Sequence, residues 1–300
     1  MSSIAYVTDK KMIEYHRLCG NQNINFWRLA NQKQFKDFHP GDLLFFYTRP
    51  RRSKKKGFVG YGHFDSIQRM SLKKMWNKFG TDNGYESYEK LEEAILAASR
   101  DNKVPEEMNC LYLTNVVFFL SPIYPEEIGI HLANKLESYC YLDQNDPLVT
   151  VRILKAAGKV GIDAWSASQN LEPETVFRRD EIRHQLAVCA KEIGEAGYTS
   201  QEKARAKRLI NEKLIQGYEL IRGSSTDGVL IEEDRLTIAI PFVTQHKDFK
   251  TRRTELIGKM TLYKIFMKKH QIPIERFRFE ILFEQEREDM RELIRDFNHA

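Results

Sequence analysis

The sequence predicts an α/β (α+β) protein of two domains, and three observations lead there. The chain has 300 residues, more than one ordinary compact domain holds and enough for two separate cores. Strand-like runs of aromatic and β-branched residues alternate along it with stretches whose apolar residues recur every three or four positions. Near the middle, residues 166–173 (SASQNLEP) are small and polar, the composition of a linker. The boundaries that follow are 1–165 for a first domain and 174–300 for a second, mixed α/β domain.

The first domain opens on a short strand at residues 4–7 and a helix at 10–18. An aromatic strand (INFWRLA) is expected over 24–30. His39-Pro40-Gly41-Asp42 is a turn signal, because Pro and Gly supply the φ values of a tight reversal. A buried strand follows at 43–48 (LLFFYT), then a glycine-bearing strand at 57–64 (GFVGYGHF). Glycine within a strand marks a bulge, or a close approach by backbone or ligand. Helices are expected at 71–79 and 88–100 and a long strand at 110–120. The second domain begins with helices over 174–196 and 200–222. On the latter, Leu209, Leu214, Tyr218 and Ile221 form one face, and Ser200 is its expected N-cap. Strands at 228–231 and 236–242, a basic helix at 251–270, a strand at 277–283 and a helix at 286–297 complete it.

Composition excludes several classes. Hydrophobic residues make up 42% and charged residues 30%, as in a folded globular protein. The longest apolar runs, such as 116–120, fall far short of the roughly 20 residues of a membrane helix, and the first residues lack the apolar core of a secretion signal. A cytoplasmic protein without a membrane partner is the expectation. Cys19, Cys110, Cys140 and Cys189 form no C-x-x-C pair and are expected as buried small hydrophobes. His184, His246 and His270 have no ligand-like spacing and are expected at the surface. The net charge of +5 is modest. It is concentrated locally: in residues 49–56 (RPRRSKKK), Arg49, Arg51, Arg52, Lys54, Lys55 and Lys56 make six of eight positions basic. Such a run is either a solvated loop or a phosphate-binding one.

Phe26-Trp27, then Pro40-Gly41-Asp42 leading into a strand that ends at Tyr47, then Gly57-Phe58-Val59-Gly60-Tyr61-Gly62, together resemble the PUA-like superfamily, and EVE-type domains in particular. The resemblance spans roughly residues 1–160. It implies a small curved β-barrel, here with helical insertions, that reads RNA or DNA and holds a single flipped, often modified, base between aromatic side chains. Stacking on an aromatic face restores about 1–3 kcal/mol per base. Carried over, the base-binding residues are Trp27, Tyr47, Tyr61 and Tyr124; the competing reading makes most of these aromatics barrel core, with Trp27 and Tyr47 equally placed for either. Gly60 and Gly62 admit either a ligand or barrel curvature. Asn83-Gly84 is a turn that also offers polar groups.

The order of helices and strands in the second half resembles a degenerate PD-(D/E)xK nuclease core. That resemblance implies Mg²⁺ held by carboxylates that activate water. Asp227 stands at the start of the 228–231 strand, where the first carboxylate and metal ligand belongs. The next strand carries neither acid nor lysine, so Glu255 and Lys259, one turn apart on the following helix, are the expected replacements, with Lys247 a further source of charge. The competing reading makes Glu255–Lys259 an ordinary helix-surface pair. The basic helix at 251–270 is either a phosphate-facing surface or a solvated one. The whole reads as a nucleic-acid-binding protein with a nuclease-like effector, in the manner of modification-dependent restriction or phage defence. The rival is a non-catalytic binding or assembly protein whose second domain forms a homodimer or contacts a partner.

Overall fold

The structure, a computed structural model, describes residues 2–29, 35–50, 55–133, 136–167, 173–244, 248–272, 277–285 and 287–299. The chain is α+β and divides into two compact units, Ser2–Arg178 and Arg179–Ala300.

The first unit contains β1 (Ser3–Val7), α1 (Lys10–Cys19), β2 (Ile24–Leu29), β3 (Leu43–Thr48), β4 (Gly57–Met70), α2 (Leu72–Phe79), α3 (Tyr88–Ala98), β5 (Met108–Ile123), β6 (Tyr139–Tyr141), α4 (Val149–Val160) and α5 (Ala164–Ala167). Its six strands lie in the order β2-β5-β4-β3-β1-β6. Only β1 and β3 run parallel, with Ser3 opposite Leu43 and Val7 opposite Tyr47. Asp42 sets this register. Its buried carboxylate accepts from the Ser2 amide at 3.0 Å and from the His39 amide at 2.8 Å, tying the turn before β3 to the start of β1.

β4 and β5 form the backbone of the sheet. Their register shifts three times along its length, between Phe58 and Gly60, Tyr61 and His63, and Phe64 and Ser66. Such irregularities bend and twist strands, and here they curl the sheet into a half-barrel. Gly60 is needed for this approach: a Cβ there would lie 2.4 Å from the Val117 carbonyl oxygen and 3.1 Å from Phe118 Cα. The close neighbour is therefore β5 and not a ligand. Gly62 is similar, with Val116 and Leu113 side chains at 3.0 and 3.1 Å from such a Cβ.

The second unit contains most of α6 (Pro173–Ile193), then α7 (Ser200–Leu214), β7 (Glu219–Leu220), β8 (Gly228–Ile231), β9 (Leu236–Phe242), α8 (Phe249–Lys269), β10 (Phe277–Phe283) and α9 (Glu288–His299). β7, β8 and β9 are an antiparallel meander, and α8 crosses over so that β10 runs parallel to β9. Every residue of β9 is buried, as expected of a strand covered on both faces. α8 sends Leu256, Met260, Tyr263 and Met267 inward at helical spacing. On α9, the Asn298 amide donates to the Phe279 carbonyl at 2.9 Å and accepts from the Phe279 amide at 2.8 Å. It satisfies backbone groups on β10, an edge strand of this sheet.

Several expectations change. The unit boundary falls inside α6 and not in the polar stretch before it. Phe177, in the first turns of α6, is buried against Tyr61 and Phe119 of the first unit. The helix expected over 200–222 stops at Leu214, because Gly217 turns the chain at φ 91°. Tyr218 and Ile221 therefore lie beyond the helix, and β7 is an extra strand. The N-cap is Thr199, one residue before Ser200. Thr199 and Glu202 form a full capping box, with amide bonds of 2.8 and 3.3 Å. α4 lies in the stretch 126–165, which reads in the sequence only as short, mixed structure. Cys110 and Cys189 are buried, but Cys19 is exposed and Cys140 half-buried, and all four are free thiols. His184 and His270 are buried and not at the surface; His246 lies outside the described residues. Among the described residues no helix is long and apolar enough to cross a membrane.

Replacing Gly60 with Ala is expected to destabilise the protein by about 2 kcal/mol or more, since backbone must shift to admit the methyl group. Gly158→Ala, in α4 where a Cβ meets nothing within 4 Å, is expected to stabilise by about 0.5–1 kcal/mol. Urea denaturation of both variants measures the contrast.

Candidate functional site

In the first unit, β2 carries Trp27 to the mouth of an open cleft of about 670 Å³, between α1 and α3. Trp27 faces Tyr85, with ring centroids 6.5 Å apart and planes inclined at 43°. Tyr85 is fixed by Asp9, which caps α1. One Asp9 oxygen accepts from the Tyr85 hydroxyl at 2.8 Å and the other from the Lys11 amide at 3.2 Å. Burial, and then the bond to Asp9, pushes the Tyr85 hydroxyl pKa upward, so it stays protonated. Lys11, Lys90 and Glu93 reach the rim, the last two paired at 3.0 Å. The Trp27 indole N–H is buried and has no hydrogen-bond partner. A buried donor left unpaired costs about 1–3 kcal/mol. Behind Gly84 of the same wall lies His16, fully buried, its Nδ1 bonded to the Asn21 amide at 3.1 Å and its Nε2 unpaired. Burial holds this imidazole neutral, with its pKa pulled down to about 3.

The residues expected to share a base-binding pocket do not gather in this cleft. Tyr47, the last residue but one of β3, has its ring 5.2 Å from Phe58 and the Lys56 ammonium 5.9 Å above it. Burial, aided by Glu126 and Cys140, raises its pKa. Tyr124 packs near Gly57, where its Cδ1 would stand 3.3 Å from an added Cβ. Tyr61 is wholly buried among Phe45, Phe119 and Phe177, so it belongs to the core and offers no face to a ligand. Asn83 is also buried, locked by bonds of 2.7 Å from the Asn25 amide and to the Gly80 carbonyl. In the basic run, Arg49 is exposed. Lys55 pairs with Glu126 at 3.0 Å, and Lys56 donates to the Leu136 carbonyl at 2.6 Å. Arg51, Arg52 and Lys54 lie outside the described residues. Tyr85 and Asp9, which build the cleft with Trp27, escaped the sequence reading. The capping position of Asp9 was their one visible signal.

In the second unit, Asp227 and Lys259 do come together. The Lys259 ammonium donates to Asp227 Oδ1 at 2.7 Å and lies 2.6 Å from Oδ2, and the Tyr263 hydroxyl donates to Oδ2 at 2.9 Å. Asp227 is 1% exposed. Burial, then the adjacent carboxylate, drives the Tyr263 pKa well above its ordinary value. Glu255 does not join them. It pairs with Arg252 at 2.8 Å, so it is neither a second carboxylate beside Asp227 nor the helix partner of Lys259. These residues do not fit Mg²⁺. Both Asp227 oxygens already carry donors, and among the described residues no three His, Cys, Asp or Glu side chains are grouped to hold a metal. Lys247 lies outside the described residues. The basic face of α8 is largely spent internally: Arg252 on Glu202 at 3.0 Å, Lys259 on Asp227, and Lys264 on the Phe297 carbonyl at 2.6 Å.

No family model matches the chain, and no curated protein matches it. Among solved structures, ASCH from Zymomonas mobilis is similar at a TM-score of 0.36 and 11% identity, covering 51% of this chain and 94% of that one. Two single-residue mutants of the same protein match at the same score and 10% identity. Likeness at that level carries no argument for function.

Lys259→Met is expected to destabilise the protein by about 3–5 kcal/mol, because it strands a buried carboxylate. Millimolar Mg²⁺ is expected to leave the melting temperature unchanged; calorimetry reads both. His16 gives a pH test. Its imidazole takes up a proton near pH 6.5 in the unfolded chain but only near 3 when folded. The unfolded state then binds more protons in between, so stability falls as pH drops from about 6.5 toward 3, by up to about 1.4 kcal/mol per unit. His16→Gln is expected to flatten that part of the stability profile relative to the parent protein.

Proposed function

We propose that this protein binds nucleic acid and receives one unstacked base in the cleft beside Trp27 and Tyr85. The observation that carries the reading is the pair of aromatic rings, Trp27 and Tyr85, that line one open cleft. An aromatic face compensates for the stacking a flipped base loses. Glu86 and Glu93 supply acceptors suited to ring or exocyclic N–H groups, and Lys11 supplies a donor. The cleft exceeds the volume of a base, so a modified base, the finer form of this reading, is accommodated. Phosphate contact is assigned to Arg49, Arg51, Arg52, Lys54, Lys55 and Lys56. Of these, Lys55 and Lys56 must exchange internal partners for phosphate.

A second reading concerns the second unit. The engagement of both Asp227 oxygens favours a non-catalytic companion domain over a Mg²⁺-dependent nuclease effector. A restriction or phage-defence role would then rest on recognition by this chain and chemistry by another protein.

Fluorescence anisotropy with single-stranded and duplex oligonucleotides tests both. Trp27→Ala is expected to weaken the best ligand by about 1–3 kcal/mol, roughly 5- to 150-fold. Replacing Arg49, Arg51, Arg52 and Lys54 with Gln is expected to lower affinity for all sequences and flatten its salt dependence. Unchanged affinity in Trp27→Ala would remove the base from this cleft. Mg²⁺-dependent cleavage lost in Asp227→Ala would reinstate the nuclease.

A further inference from the structure

A second cleft lies wholly within the second unit, and the proposed reading does not use it. The end of α6, residues 194–198, the end of β9 and one face of α8 enclose about 330 Å³, within the size range of small-molecule sites. Its walls are mostly apolar: Tyr198, Pro241, Phe242, Leu256 and Leu262 supply much of the surface. Three features suit it to a ligand.

Thr226 lines the cleft, and its hydroxyl makes no hydrogen bond among the described residues and is not one of the sealed unpaired atoms, so it stays accessible to a ligand. Lys259 also lines it. Its ammonium contacts both Asp227 oxygens, which leaves a third N–H, and its charge is cancelled where it stands. Gly258, in the interior of α8, faces the same space, and a Cβ there would meet nothing within 4 Å. Alanine is favoured over glycine inside a helix. No packing requires this glycine; its effect is to keep the cleft open.

The electrostatics select among ligands. Lys259 is neutralised by Asp227, and Arg252 by Glu202 and Glu255. An anionic ligand entering would lose hydration without meeting a net opposite charge, and a cationic one would meet only the surplus carboxylate of Glu255, which is exposed to water and already paired with Arg252. A neutral acceptor would satisfy Thr226 and the remaining Lys259 N–H at no such cost. We propose that this cleft binds a neutral, flat, largely apolar small molecule, held by donation from Thr226 and Lys259 to one carbonyl or ring-nitrogen acceptor.

The test is ligand-observed NMR on the full chain with four probes of one ring size: benzamide, benzoate, benzylamine and toluene. Benzamide is expected to bind in the millimolar range, at least about tenfold tighter than the other three. Thr226→Val is expected to weaken benzamide about tenfold, and Gly258→Phe to abolish its binding by filling the space. Gly258→Ala is expected to retain it. Circular dichroism melts establish that each variant is folded, and Thr226→Val decides the matter if Gly258→Phe is not. Equal binding of the four probes, no binding of benzamide, or benzamide binding undiminished in Thr226→Val would overturn the proposal.

Discussion

The first unit depends on how closely β4 and β5 approach. At Gly60 the space between them does not admit even a methyl group. The three register shifts along the same pair bend the sheet, so that one face wraps a core of Ile4, Phe26, Phe46, Phe118 and their neighbours. A wider separation would flatten the sheet. β2, which pairs with β5 alone in the sheet order, would shift with it. Trp27 stands on β2, opposite Cys110, so the position of the cleft follows from the curvature that Gly60 permits.

The second unit obeys an electrostatic constraint. A carboxylate as buried as Asp227 is stable only with its charge balanced and its lone pairs occupied. α8 meets both needs from a single face, placing Lys259 and Tyr263 four residues apart against it. The same balance that makes the carboxylate tolerable makes it a poor metal ligand, because a cation would have to displace an ammonium already in place. The carboxylate at the head of β8 thus has a donor on each oxygen.

Both clefts follow one pattern. Each is walled by aromatic or apolar side chains, and each has a charged residue already committed to an internal partner: Asp9 to Tyr85, and Lys259 to Asp227. In each, a neutral group makes no hydrogen bond among the described residues, the buried Trp27 indole N–H beside one and the accessible Thr226 hydroxyl in the other. Recognition through such groups depends on shape and single hydrogen bonds more than on charge. Of the basic run, the described residues Arg49, Lys55 and Lys56 line neither cleft.

The sequence alone determined the class and most of the elements, because periodicity and turn chemistry are local. The strand Phe277–Phe283, the turn at Pro40-Gly41-Asp42 and the inward face of α8 could be read from spacing. It also singled out Asp227 and Lys259 as belonging together. Tertiary structure decided what those residues do. Tyr61 and Trp27 are both strand aromatics, yet one is sealed in the core and the other walls a cleft, a difference set by which helices cover which end of the sheet. Asp9 and Tyr85 are 76 residues apart, and no local pattern joins them. Whether Asp227 could face a cation turned on a contact 32 residues distant. Local patterns fix backbone conformation, whereas a side chain's chemistry depends on neighbours that only the folded chain brings to it.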